Sequence, residues 1–205
     1  MKNVLVISGT YRKSKSIDTL IDKAIQGIKQ KENNVCVEIV RLIDKKIQYC
    51  TNCMSCRNQV PVGDKKDCVL PDEMQDLYDK VLKADYYIFA SPINMGTVTA
   101  IMKTFLERCC WVFAKPNPKS FPIKGIPAVM KKDKQKYAVI ILSTGLIPPV
   151  FRKFCDDATS LIKIFCKDHL NAKLVGSLYA GAVEKRGVDH YFKKAVKLGE
   201  KLIKW

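Results

Sequence analysis

Short apolar runs alternate with amphipathic stretches along the whole chain. The runs have the length of strands and predict β-structure at residues 4–9, 35–42, 85–92, 136–145 and 173–180. Apolar residues at helical spacing predict helices from near Ser16 and over 71–83, 98–113, 152–167 and 188–204. This alternation predicts an α/β fold, a doubly wound five-stranded parallel sheet with right-handed crossovers and helices on both faces.

The length of the chain predicts one domain, and its apolar runs predict no export or membrane segment. We expect its 205 residues to form a single domain over 1–205, with a cysteine-rich loop at about 48–70. The opening MKNVLVISG is too short for a signal peptide, and the other apolar runs fall well below the roughly 20 residues that span a bilayer. We therefore expect a cytoplasmic protein. In that reducing compartment, its nine cysteines indicate metal or redox chemistry rather than disulfides.

The chain is strongly basic, with a formal net charge of +16. Most lysines fall on the polar faces of predicted helices, and KKDKQK at 131–136 is the densest cluster. A solvated surface explains this charge, and attraction of acidic partners or phosphorylated cofactors is the functional alternative. No nucleic-acid motif is present, so we expect no nucleic-acid partner.

The loop after the first strand, SGTYRKSKS at 8–16, has the character of a phosphate-binding loop. It carries four serine and threonine hydroxyls and leads into the amino end of a helix, whose free N–H groups and partial positive charge suit a phosphate. It lacks both the GxGxxG spacing of dinucleotide folds and the GxxxxGKS/T of nucleoside triphosphatases. These features favour a mononucleotide such as FMN.

Two further loops leave strands at the same predicted sheet edge, where ligands of such folds bind. In SPINMGTVTA at 91–100, Pro92 and Gly96 predict an irregular, exposed backbone suited to the pyrimidine edge of a flavin, and Thr97 is predicted to cap the next helix. The third loop is the short glycine turn STG at 143–145. Plain strand-to-helix connections are the alternative for each loop.

Three cysteines in CTNCMSC, Cys50, Cys53 and Cys56, are spaced as in C-x2-C-x2-C, and Cys68 follows as a potential fourth ligand. This pattern is compatible with an iron–sulfur cluster, with zinc, or with free thiols beside a flavin. No catalytic acid or base stands out among the side chains. We expect His169, one of only two histidines, to serve as a helix-end cation or as the partner of Asp168.

The chain resembles the flavodoxin-like NAD(P)H-dependent FMN reductases, and in particular their branch that includes the iron–sulfur flavoproteins. The resemblance rests on SGTYRKSKS, CTNCMSC…CVLPDEM, SPINMGTVTAIMKTFLER and STG. It implies that the FMN phosphate and ribityl chain are held by Ser8, Thr10, Arg12, Ser14 and Ser16. It further implies that the isoalloxazine is lined by Pro92, Ile93, Asn94, Met95 and Gly96, with Ser143, Thr144 and Gly145 on its other side.

The chain departs from the family pattern at three positions and in the spacing of one cysteine. Asn94 and Met95 stand where an aromatic pair is usual, and Tyr11 stands where proline is common. The iron–sulfur flavoproteins close the three-cysteine run after a shorter gap than the eleven residues between Cys56 and Cys68.

Three functions remain open at this point. The first is an enzyme in which NAD(P)H reduces bound FMN, which then reduces a quinone, free flavin or another small acceptor. The second is an electron-transfer protein in which FMN and a cluster of the 4Fe-4S type exchange electrons with a redox protein such as ferredoxin. The third is a zinc-binding structural protein with a vestigial flavin site.

We also expect a homodimer or tetramer, because relatives bury the flavin at a subunit interface. The apolar stretch 109–113 is a candidate contact surface, with core packing as the alternative for Trp111 and Phe113.

Overall fold

The computed structural model describes residues 1–117, 125–130 and 134–205. Its strands are β1 (Lys2–Ser8), β2 (Val35–Arg41), β3 (Tyr86–Pro92), β4 (Ala114–Pro116), β5 (Pro127–Val129), β6 (Lys136–Ser143) and β7 (Ala172–Ala180). Its helices are α1 (Ser16–Lys31), α2 (Ser55–Asn58), α3 (Met74–Lys83), α4 (Ala100–Cys110), α5 (Arg152–Cys155), α6 (Asp157–Leu170), α7 (Val183–Arg186) and α8 (Phe192–Ile203). Within these ranges, no helix combines the length and the apolar character needed to cross a membrane.

The predicted flavodoxin-like sheet is confirmed. Its five parallel strands lie in the order β2-β1-β3-β6-β7, so the chain reverses direction across the sheet between β1 and β3. The register pairs Ser8 with Ala90 and Pro92 with Ser143, which brings the ends of β1, β3 and β6 to one edge. Ligands of doubly wound sheets bind at this edge, beside the switch point.

Helices cover both faces of the sheet because side chains alternate along each buried strand. Leu5 and Ile7 pack into an apolar layer with α3, α4 and α6. Their neighbours Val4 and Val6 pack on the opposite face, against α1 and α8.

Two short elements depart from the expected pattern. The hairpin of β4 and β5 was not predicted, because strands of three residues leave no periodic signal. The expected helix over 152–167 is split into α5 and α6 at Asp156, whose side chain accepts a hydrogen bond from Thr159 N at 2.9 Å and so caps α6. Within the basic cluster 131–136, residues 131–133 lie outside the described residues.

The expected contact surface at 109–113 is wrong for most of its residues. Cys109, Val112 and Phe113 are buried in the core beside α3 and α6, so core packing accounts for them. Trp111 is half-buried and carries the guanidinium of Arg57 over its ring at 4.8 Å.

The expectation that His169 serves as a cation is also wrong. Its ring is 8% exposed and stacks on Phe165 with 5.1 Å between ring centroids. Burial lowers the pKa of His169, so at neutral pH the ring packs as a neutral aromatic group.

Candidate functional site

Two adjoining cavities form one cleft at the carboxyl edge of the sheet. Their volumes are about 260 and 420 Å³. Both are lined by Arg12, Lys15, Ser16, Pro92, Asn94 and Ser143. We call this shared space the cleft. It lies where the topology places ligands of such sheets.

The phosphate-loop side of the cleft is folded by local hydrogen bonds. Thr10 Oγ1 accepts from Arg12 N at 3.3 Å, and Gly9 N donates to Ala90 O at 2.8 Å. A Cβ at Gly9 would lie 2.7 Å from Met102 Cβ, so α4 packs against this turn only because the residue is glycine. The turn then leads directly into α1.

Two cations line the cleft beside the amino end of α1. They are Arg12 and Lys15, whereas Lys13 between them forms an ion pair with Asp44 at 2.6 Å. The free N–H groups of a helix amino end and two nearby cations suit a phosphate.

The second loop is a tight turn closed by two backbone hydrogen bonds. Asn94 N donates to Thr97 O at 2.9 Å and Thr97 N donates to Asn94 O at 3.1 Å. Met95 and Gly96 between them have φ of 51° and 80°, as a two-residue turn of this hand requires. The side chain of Met95 is fully exposed as a result.

The cap of α4 is Thr99, so the prediction of Thr97 as the cap is wrong. Thr99 Oγ1 accepts from Met102 N at 3.4 Å and donates to Gly9 O at 2.7 Å. Thr99 N donates to Ser91 Oγ at 3.2 Å. Thr97 cannot serve because it closes the preceding turn. Thr99 therefore joins the phosphate loop to the end of β3.

The predicted FMN residues divide into two sets. Eight line the cleft: Thr10, Arg12, Ser16, Pro92, Ile93, Asn94, Ser143 and Gly145. Five do not: Ser8, Ser14, Met95, Gly96 and Thr144.

The five residues that do not line the cleft lie elsewhere in the strands and turns around it. Ser8 is fully buried in β1, Ser14 turns the loop at a φ of 56°, and the Thr144 hydroxyl donates to Ile147 O at 2.7 Å. Met95 and Gly96 form the exposed turn. All three predicted loops therefore contribute residues to the cleft, but only part of each loop faces it.

The sequence reasoning missed the loop after β7. Val183 N donates to Thr144 O at 3.0 Å and Glu184 N donates to Gly145 O at 3.1 Å, which places both residues in the cleft wall. A Cβ at Gly145 would lie 2.4 Å from Glu184 Oε1, so the carboxylate covers this glycine. The signal was available, because β7 ends at the same edge as the strands whose loops were considered.

The cysteine loop (residues 48–70) lies beside the carboxyl end of α4. Cys50 and Cys53 are exposed, and Cys56 and Cys68 are half-buried. Burial, and after it the nearby Cys68, Cys50 and Cys53, raise the pKa of Cys56. The four predicted ligands therefore share one neighbourhood.

Two further features bear on a metal centre. Cys110 at the end of α4 was not predicted, yet burial and the nearby Cys56 and Cys50 raise its pKa to about 11. All nine cysteines are described, and all are free thiols. Thiolates fit iron–sulfur clusters and zinc by their chemistry. In the part of the chain that the structure describes, however, no three His, Cys, Asp or Glu side chains are gathered closely enough to hold a metal ion.

Curated relatives share part of this chain. An iron–sulfur flavoprotein of Archaeoglobus fulgidus is 39% identical over 102 residues, which are 50% of this chain and 43% of that protein. An iron–sulfur flavoprotein of Methanocaldococcus jannaschii is 34% identical over 89 residues, 43% of this chain and 42% of that protein. The aligned segments therefore span less than half the length of these relatives.

Solved structures share the fold over nearly the whole chain. A NAD(P)H:quinone oxidoreductase from Methanothermobacter marburgensis has a TM-score of 0.70 at 14% identity, covering 98% of this chain and 96% of that one. An FMN-dependent NADH-azoreductase from Bacillus anthracis, in complex with FMN, has a TM-score of 0.68 at 13% identity, covering 99% and 100%. The family model described as NADPH-dependent FMN reductase matches residues 2–131, which is more than half of the chain. The chain therefore belongs to the NADPH-dependent FMN reductase family.

Proposed function

We propose that this protein is an FMN-dependent oxidoreductase that takes electrons from NAD(P)H and passes them to a quinone or another small acceptor. The observation that carries the proposal is the cleft, in which two cations and the amino end of α1 meet the ends of β3 and β6. Family membership and a structural neighbour solved with FMN support the same cofactor.

The residues of the cleft have distinct roles in this proposal. Arg12 and Lys15 bind the FMN phosphate together with the Ser16 hydroxyl and the N–H groups at the start of α1. Pro92, Ile93 and Asn94 lie against one side of the isoalloxazine, and Ser143 and Gly145 against another. Bound FMN supplies the hydride and electron chemistry, while the protein binds, orients and electrostatically tunes it.

A stopped-flow experiment under anaerobic conditions tests this function. Protein loaded with FMN is mixed with NADH or NADPH, and bleaching of the flavin absorbance is followed. We expect bleaching by at least one nucleotide and reoxidation by a quinone. A protein that binds no FMN, or whose FMN neither nucleotide reduces, would refute the proposal.

A second candidate function is that of an iron–sulfur flavoprotein, in which a redox protein such as ferredoxin is the partner. It is favoured by the four cysteines that share one neighbourhood and by the curated relatives. Cys50, Cys53, Cys56 and Cys68 would hold the cluster. Iron and sulfide are assayed per chain after anaerobic reconstitution, with Cys53→Ala as the control. Fewer than one iron per chain would exclude this function, and stoichiometric zinc in its place would favour the structural alternative.

We also propose that the protein forms a homodimer or tetramer through an apolar surface next to the cleft. Val150, Phe151 and Phe154 are 76%, 53% and 85% exposed. Asp157 N donates to Gly96 O at 2.8 Å, which ties this segment to the turn that carries exposed Met95. Light scattering at micromolar concentration should give the molar mass of a dimer or a larger species. The Phe154→Asp variant should give a lower molar mass, because it disrupts the contact between subunits. A monomeric wild-type protein would contradict the proposal.

A further inference from the structure

One buried arginine joins the two ends of the cysteine loop. Arg108 lies on α4, and its side chain is 0% exposed. Its Nη1 donates to Gln48 O at 2.8 Å and to Asp72 Oδ2 at 2.6 Å, and its Nη2 donates to Asp72 Oδ1 at 2.9 Å. Gln48 begins the loop and Asp72 follows its end. A single guanidinium therefore closes a segment with little regular structure of its own.

The partners of Arg108 are themselves fixed by further hydrogen bonds. Asp72 also accepts from Gln48 N at 2.7 Å and from Met74 N at 3.1 Å. Gln75 Nε2 donates to Cys68 O at 2.8 Å, which extends the anchored region to a predicted metal ligand. The Asp72 side chain is only 5% exposed, so both charges of the pair are almost completely desolvated. We call Arg108, Asp72 and Gln48 the clasp.

The clasp connects the cysteine loop to the cleft through α4. At the amino end of this helix, Thr99 holds Gly9 of the phosphate loop. Arg108 lies nine residues further on, which is about 14 Å along the helix axis. Because a helix of this length is stiff and α4 is packed in the core, it fixes the distance between the two regions.

A buried ion pair is a weak means of adding stability. The desolvation of two charges commonly offsets their attraction, and an apolar pair of similar volume often serves as well. Such pairs are retained in some proteins because they specify one arrangement of the chain. Here one guanidinium contacts a residue at each end of the same loop, which suits the role of specifying one arrangement of that loop.

We propose that Arg108 is a positioning residue that holds the two ends of the cysteine loop together, and so sets both the accessibility of its thiols and the rate at which the loop releases a bound metal, while flavin binding proceeds independently. The metal part rests on the second candidate function above. Arg108 makes no direct contact with substrate or cofactor in this proposal.

Three variants test this role. Arg108→Lys keeps the charge but cannot make the forked contact with Asp72 and Gln48. The double variant Arg108→Met/Asp72→Leu removes both charges, so it leaves no unpaired buried charge and keeps the fold testable even where the single variant unfolds. Lys103→Met is the matched control, because Lys103 is on the same helix but pairs with Glu107 on the surface.

The first measurement compares metal loading with flavin binding. After anaerobic reconstitution, we expect both clasp variants to lose iron to a chelator about tenfold faster than wild type, the equivalent of about 1.4 kcal/mol. Their Kd for FMN, measured by fluorescence, should stay within about twofold, well under that 1.4 kcal/mol. If faster iron release is accompanied by an equal loss of FMN affinity and by a lower melting temperature, Arg108 serves only the stability of the whole fold, and the proposal is overturned.

The second measurement needs no metal and separates this inference from the candidate function on which it rests. Alkylation of the metal-free protein is followed at each cysteine by mass spectrometry. We expect Cys56 and Cys68 to react about tenfold faster in the clasp variants, while Cys36 and Cys155 outside the loop keep their rates. If the wild-type protein binds no iron but this change in alkylation is seen, the iron–sulfur function is rejected and the positioning role of Arg108 is supported. Unchanged alkylation in both clasp variants would overturn the clasp itself.

Discussion

The cleft and the cysteine loop are built in different ways. The walls of the cleft are continuations of β1, β3, β6 and β7, whose parallel register fixes where each loop begins. The cysteine loop lies off the sheet, and among its described residues only the short α2 is regular helix. The cleft is thus assembled by backbone pairing, whereas the loop depends on a few side-chain contacts.

This difference has a consequence for ligand binding. The backbone of the cleft, including the helix end, is in place before any cofactor binds, so the conformational entropy lost on binding comes mainly from the exposed side chains of Arg12 and Lys15. In the cysteine loop, Cys50 and Cys53 are exposed, and the described thiols are not gathered. Ordering such a loop around a metal costs conformational entropy that metal–thiolate bonds must offset. The two regions should therefore respond differently to the same kind of mutation.

The largest effect is expected from removing the cations of the cleft. Arg12→Ala/Lys15→Ala should weaken FMN binding by at least about a hundredfold, because each hydrogen bond to a charged group contributes about 1.5–3 kcal/mol. Fluorescence titration of FMN measures this loss, and iron loading of the cysteine loop should be unchanged.

Lys13→Ala is the matched control for this pair. It removes the same charge from the same loop, but Lys13 pairs with Asp44 rather than lining the cleft. We expect less than a threefold change in Kd from the loss of general charge attraction alone, under about 0.7 kcal/mol. Equal losses from Lys13→Ala and Lys15→Ala would show that net charge, and no built site, attracts the phosphate.

The sheet and three of the four loops that form the cleft could be predicted because their signals are local. Apolar runs located all five strands of the main sheet, and topology then placed their loops at one edge. Which residues face the cleft could not be predicted, since this depends on turns such as that at Met95 and Gly96. Glu184 was missed, although β7 ends at the same edge, because its loop GAVEKRG carries no serine or threonine that would indicate a phosphate or flavin site.

The long-range contacts of the cysteine loop left no signal at all. Arg108 and Asp72 are 36 residues apart, and neither shows a pattern that pairs it with the other. The position of Cys110 beside Cys56 likewise depends on how α4 packs. Tertiary pairing of this kind is decided by the whole fold and not by any local segment.

A smaller effect is expected from acid on the cysteine loop. Burial alone would raise the pKa of Asp72, but hydrogen bonds from Arg108, Gln48 N and Met74 N hold it below its usual value. The unfolded chain has a pKa near about 3.9 for this carboxylate. Because the pKa in the folded loop is lower, the ionised carboxylate stabilises the folded loop above about pH 3.9, and this stabilisation is lost as the pH falls through the folded pKa.

We therefore expect hydrogen exchange in residues 46–72, corrected for intrinsic rates, to rise below about pH 4 before it rises in the sheet. Asp72→Asn should remove this pH dependence and leave the loop open at every pH. Asp85→Asn is the control, because the pKa of Asp85 is also lowered but the residue lies at the opposite edge of the sheet, paired with Lys134. If hydrogen exchange rose in the loop and in the sheet at the same pH, the loop would not be the less stable of the two regions, which would contradict this prediction.

Thr99→Val tests the link between phosphate loop and α4. It removes the helix cap and the hydrogen bond to Gly9 O, which together should lower the free energy of unfolding by about 1–2 kcal/mol. FMN affinity should fall by severalfold, because the phosphate loop loses an anchor. Thr97→Val, at the position expected to be the cap, should change both quantities little. Chemical denaturation and FMN titration of the two variants check the contrast, and equal effects would contradict it.

The smallest effect is expected at Glu184, whose carboxylate covers Gly145 in the cleft wall. Two-electron reduction of FMN to its anionic form adds one negative charge, and a nearby carboxylate disfavours it. Glu184→Gln should therefore raise the midpoint potential of bound FMN by about 10–20 mV, where 30 mV corresponds to about 1.4 kcal/mol for two electrons. Lys185→Gln is the control on the same short helix, and it should shift the potential less and in the opposite direction. Added salt should shrink both shifts, because Glu184 and Lys185 are exposed. An unchanged potential in Glu184→Gln would place the flavin ring away from the loop after β7, and the flavin would then contact only the parts of the cleft at the ends of β1, β3 and β6.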